Sequence, residues 1–166
     1  PRIFIYYVFW AGSIGQCLDI EDPYIYRHFT FDEIYALWAY NDAYYYSSMC
    51  GNLENERNED LIGQRILKDI LEKADLALEE GSDKAADLRF GHDSALSPLI
   101  SLLRIEGLEE AHSVAQAPDV WFGFRSMPMA SYLQMIVYKN KKGEVLVKLL
   151  YNERETTIPA VQTCCG

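Results

Sequence analysis

Lys84-Ala-Ala-Asp-Leu-Arg-Phe-Gly-His-Asp-Ser-Ala-Leu-Ser-Pro-Leu-Ile-Ser-Leu-Leu103 is the stretch on which the reading of this chain turns. Its first part, Lys84 to Gly91, predicts a short strand bounded by Ser82-Asp83 and by the glycine. Ser94 to Ile105 reads as a helix, with Pro98 tolerable only in its first turn and Gly107 closing it. His92 and Asp93 sit at the handover. Where a strand feeds a helix, side chains project into the crevice in which open α/β sheets bind ligands. The helix start adds free amides and a partial positive charge, which suit a phosphoryl group. Gly91 allows a tight turn, His92 could donate to phosphoryl oxygens, and Asp93 could act as a general acid. A plainer role competes, because Asp93 is also a good helix N-cap. Arg89, between Leu88 and Phe90, is costly inside a covered sheet unless it meets an anion. That anion is either Asp87 or another carboxylate, or the ligand that His92 faces.

Outward from this centre, Thr30-Phe-Asp-Glu33 is a capping box that starts a helix running to about Met49. Gly51 to Asp60 is polar and turn-rich, and its acidic run from Glu54 reads as a solvated linker. Ile62, Ile66, Leu67, Ile70, Leu71, Ala74 and Leu78 then recur at helical steps, ending at Gly81. Toward the carboxyl end, Tyr132 to Tyr138 and Val145 to Tyr151 predict a β-hairpin turned by Lys139 to Glu144. Trp121 to Met129 reads as an irregular loop before it. The β-branched and aromatic run from Ile3 to Trp10 leans to strand by propensity alone. The expected class is α/β: a mixed sheet flanked by helices, plus a helical layer. Residues 1–80 form the mainly helical part and 81–166 the partial α/β core, in one compact unit.

The chain has 166 residues, room for one domain with a substantial core. Fifteen basic against twenty-five acidic side chains leave a net charge of −10, which argues against nucleic acid and against an anionic membrane as partner. Ile3 to Gly15 is too short to span a bilayer and lacks the flanks of a signal peptide. Cys17, Cys50, Cys164 and Cys165 have no CxxC spacing, so neither a zinc site nor a disulfide framework is expected, and no cofactor is called for. Aromatics make up 13% of the chain and crowd between Tyr6 and Tyr46. They fit a packed helical layer, or else a stacking platform for sugars that would expose the rings between Tyr40 and Tyr46. Arg27-His28-Phe29 mimics the start of a phosphate loop, but phenylalanine stands where glycine is needed, so a solvated lead-in to the helix is expected. His112 is expected on a polar helical face, since no second ligand lies at i+4.

Asp87 to Leu103 resembles the second catalytic segment of the histidine acid phosphatases, and its flanks resemble the multiple inositol polyphosphate phosphatase branch. Phe29-Thr-Phe-Asp-Glu-Ile-Tyr-Ala-Leu-Trp38 with Asn41 is similar to a helix of that branch's cap. Met129-Ala-Ser-Tyr-Leu133 and Val147-Lys-Leu-Leu-Tyr-Asn-Glu-Arg154 are similar to two late strands. The resemblance implies the carboxyl-terminal half of a phosphoglycerate-mutase-like histidine phosphatase fold, with a helical cap segment and with helix rather than strand from Ile3 to Cys17. It implies phosphomonoester hydrolysis, with inositol polyphosphates as the substrate class and an extracytoplasmic location. By position His92 becomes the phosphate-contacting histidine and Asp93 the proton donor, in the wider family's His-Asp form rather than the His-Ala-Glu variant of the branch. The family's nucleophile comes from an Arg-His-Gly-x-Arg element, and these 166 residues contain none. The resemblance therefore covers only the half that carries the acid, and the chain alone is expected to be inactive. The alternative is a non-catalytic domain that binds phosphate or assembles with itself through uncovered surfaces.

Overall fold

The computed structural model describes residues 2–19, 25–57 and 60–162. Four long helices come first: α1 (Arg2–Ile14), α2 (Phe31–Met49), α3 (Asp60–Leu78) and α4 (Asp93–Leu103). Two single-turn helices follow, α5 (Ala117–Val120) and α6 (Gly123–Ser126). The strands β1 (Leu133–Lys139), β2 (Val145–Tyr151) and β3 (Arg154–Thr156) then form one antiparallel sheet in that order, and α7 (Pro159–Gln162) ends the described chain. Helices with a small sheet are α/β in the general sense.

α2 starts where its capping box predicts. Thr30 Oγ1 accepts the Glu33 amide at 3.3 Å, and the Glu33 carboxylate accepts the Thr30 amide at 2.8 Å. The Thr30 amide and hydroxyl, both donating to the Glu33 carboxylate, hold it below its usual pKa. α1 is a helix packed along α2, against its strand-like propensity. α3 carries its apolar stripe of Ile66, Leu67 and Ile70 onto α4, where Leu99, Ile100 and Leu103, with Ile105 just beyond, are the buried centre of one core cluster. Leu133 of β1 and Tyr151 of β2 complete it from the sheet. The helices touch most closely at Gly63, where an added Cβ would lie 2.8 Å from the Pro98 carbonyl carbon. A second cluster joins Tyr46 of α2 and its C-cap Cys50 to Ala117 and Trp121.

The sheet departs from expectation in two ways. No strand forms at Lys84–Gly91, where the backbone takes part in no ladder, so the mixed sheet is replaced by a purely antiparallel one. β3 is an addition, reached through a tight turn at Asn152 and Glu153, both with positive φ (49° and 68°). Three smaller expectations are also corrected. α4 is closed by Arg104 in the left-handed conformation (φ 48°), before Gly107. The linker after α2 is not merely solvated, since Asn52 and Asp60 are buried. The loop from Trp121 contains the turn α6. Cys164 and Cys165 lie outside the described residues. Cys17 is exposed and Cys50 buried.

Candidate phosphate site at the start of α4

Local sequence fixes the site's frame. His92 occupies the N-cap position of α4 in extended conformation (φ −112°, ψ 166°), and its carbonyl accepts the Ala95 amide at 3.0 Å. Asp93 is therefore the first helical residue, not the cap. Its carboxylate accepts the Ser94 amide at 2.8 Å, so the acid folds over the helix end whose partial charge favours it. Gly91, His92, Asp93 and Ser94 are all exposed. The imidazole and the carboxyl thus stand at the surface, outside apolar packing, at a helix end whose Ser94, Ala95 and Leu96 amides already donate to Asp93 and His92.

One turn further along α4, Ser97 is buried, and its hydroxyl meets the Tyr45 hydroxyl of α2 at 2.6 Å. Burial pushes the Tyr45 pKa up, the Ser97 hydrogen bond opposes this, and the Asp93 charge adds to the rise. Tyr45 is a neighbour that sequence reasoning missed. Asp93 and Ser97 share a helix face at i and i+4, which is readable, but nothing local to the Tyr-rich run says which of its rings reaches that face.

Arg89 is held elsewhere. Its Nε donates to Asp87 at 2.8 Å, its Nη1 pairs with Asp69 of α3 at 2.6 Å, and Lys73 joins both carboxylates at 3.6 and 3.2 Å. Hydrogen bonds from Arg89 to Asp87, and from Lys73 and Arg89 to Asp69, hold both carboxyls below their usual range. The carboxylate alternative raised by the sequence is the one adopted, and a phosphoryl group reaching Arg89 would compete with two anions already there.

Of two clefts among the described residues, one between α1 and the start of α2 and one at the end of α2, neither is lined by His92 or Asp93. The nearer one, of about 180 Å³, opens between the end of α2, the middle of α4 and the segment from Gly107 to His112, and it reaches Ser97. Arg57 crosses it to bond Asp60 at 2.7 Å and the Ser101 carbonyl at 2.6 Å. His112 is not on a helix: its amide donates to the Tyr46 hydroxyl at 3.0 Å. His28 stands exposed on a short turn before α2, and among the described residues no group of three or more potential ligands could hold a metal. No helix among them is long and apolar enough to cross a membrane. Tyr40 and Tyr44 are exposed and Tyr46 is buried, so the aromatic run is half packing and half surface.

No model of a known protein family matches the chain, and no curated protein matches it.

Proposed function

We propose that this chain supplies the acid half of a phosphomonoesterase site, in the manner of the histidine acid phosphatases that Asp87–Leu103 resembles. The observation that carries the reading is the placement of His92 and Asp93, adjacent, exposed and set at the N-cap and first helical position of α4. In this reading the fold is the carboxyl-terminal half of a histidine phosphatase fold. A phosphate ester approaching the start of α4 meets His92 as donor to a non-bridging oxygen, while Asp93 protonates the leaving oxygen as the P–O bond breaks. Arg89 joins only if phosphate displaces one of its carboxylates. Tyr45, hydrogen-bonded to Ser97, lies near enough to Asp93 for its hydroxyl to feel the Asp93 charge.

The nucleophile, and most of the positive charge an inositol polyphosphate requires, come from a part of the catalytic unit that is not in this sequence. Extracytoplasmic location belongs to the same proposal. In the assembled unit Asp93→Asn lowers turnover of alkyl phosphates by about 10²-fold or more and of activated aryl phosphates much less, because only the poor leaving group needs its proton. Equal rates for both substrates in the variant and the parent would remove Asp93 from the acid's role. The rival reading, self-assembly without catalysis, is favoured by one observation, the exposure of Leu88 and Phe90 at 78% and 95%.

A further inference from the structure

We propose that Lys84–Phe90 is a pairing edge for a second copy of this chain, closing as an antiparallel two-stranded ribbon centred on Leu88. Every residue from Glu79 to Ser94 is exposed, and the segment's backbone joins no ladder. Its side chains alternate: Asp87 and Arg89 reach Asp69 and Lys73 of α3, which leaves Ala86, Leu88 and Phe90 on the opposite, uncovered face. A backbone whose amides from Ala85 to Phe90 meet no partner among the described residues, beside a bare apolar face, is a template for another strand.

Charge chooses the occupant and the register. In an antiparallel pair centred on Leu88, Asp87 of each copy faces Arg89 of the other, twice per dimer, and opposite charges in direct register stabilise a pair. Ala86 then faces Phe90, small against large, and Leu88 faces Leu88. Centring one residue earlier sets Asp87 against Asp87, and one residue later sets Arg89 against Arg89, so both slips bring like charges together. Ala86 to Phe90, five residues a side, bury less than the roughly 1,200 Å² of a stable interface, so the dimer is weak and forms only in concentrated solution. The inference does not depend on the catalytic reading.

Sedimentation velocity of the purified chain over a rising concentration series tests it, with circular dichroism to confirm that each variant folds. The wild type shifts from monomer to dimer. Leu88→Asp, which sets two carboxylates at the centre, stays monomeric, as does Asp87→Arg, while Asp87→Arg with Arg89→Asp restores the dimer. Register is read independently by mild oxidation in a background with Cys17, Cys164 and Cys165 changed to Ser. Leu88→Cys cross-links, because directly opposed Cα atoms lie about 5 Å apart, within disulfide reach. Phe90→Cys does not, because its two copies stand about 14 Å apart along the ribbon. A wild type monomeric throughout the series, a dimer undisturbed by Leu88→Asp, or cross-linking through Phe90→Cys as fast as through Leu88→Cys overturns the proposal.

Discussion

α3 and the segment Lys84–Gly91 are separated by only a few residues, yet one finds partners and the other does not. α3 closes its backbone bonds within itself, and its stripe of Ile66, Leu67 and Ile70 meets α4. The later segment carries an equally apolar alternation, but its backbone bonds need a neighbour that only tertiary structure can bring. Four charges fasten one of its faces to α3 and the other stays bare. A helix can be completed locally; a strand is a property of two segments.

Substitutions at both places measure that contrast. The largest effect is expected at Gly63, where a side chain would strike the Pro98 main chain: Gly63→Val should cost about 3 kcal/mol, a fall of roughly 10 °C in Tm by calorimetry. A Tm within 2 °C of the parent (about 0.5 kcal/mol) would mean that the two helices part easily and that the contrast is overstated.

A smaller effect belongs to Asp42, buried on α2, whose carboxylate accepts the Gly123 amide at 3.1 and 3.3 Å and pins the turn α6. Burial raises its pKa to about 6, more than the Gly123 hydrogen bond lowers it. Because the folded value lies above the ordinary one, this group's stabilising contribution is complete below about pH 4 and is lost as pH rises through 6. Asp42→Asn keeps an acceptor for Gly123 and should raise Tm by a few degrees at pH 7, with little change at pH 4. An equal change at both pH values would show that ionisation there does not matter.

The smallest effect is expected in the bare segment. Leu88→Ser in dilute solution should move Tm by less than about 2 °C, the result for a surface residue that touches little (about 0.5 kcal/mol). A loss as large as that of Gly63→Val would show that Leu88 is packed, and the comparison would fail.

What the sequence disclosed follows the same division. The capping box at Thr30, the apolar stripe of α3 and the hairpin of β1 and β2 are encoded within a few residues, and they stand where expected. Ile3–Trp10 misled propensity because β-branched and aromatic side chains also suit a helix packed on a neighbour; the family resemblance, not composition, pointed to helix. β3 went unread because three residues after an Asn-Glu turn lack the Asn-Gly signal. At the candidate site, His92, Asp93 and the helix start were legible. The Tyr45–Ser97 contact, 52 residues apart in sequence, was not. The engagement of Arg89 was legible only as one of two choices, since Asp69 lies twenty residues upstream on α3.

The chain contains three histidines, and this makes the central claim directly measurable. Inorganic phosphate titrated into the folded, histidine-labelled chain at constant pH and ionic strength should move the ring resonances of His92 saturably and leave His28 and His112 in place. If His92 does not respond, or if all three drift together without saturation, the start of α4 is not a phosphate site.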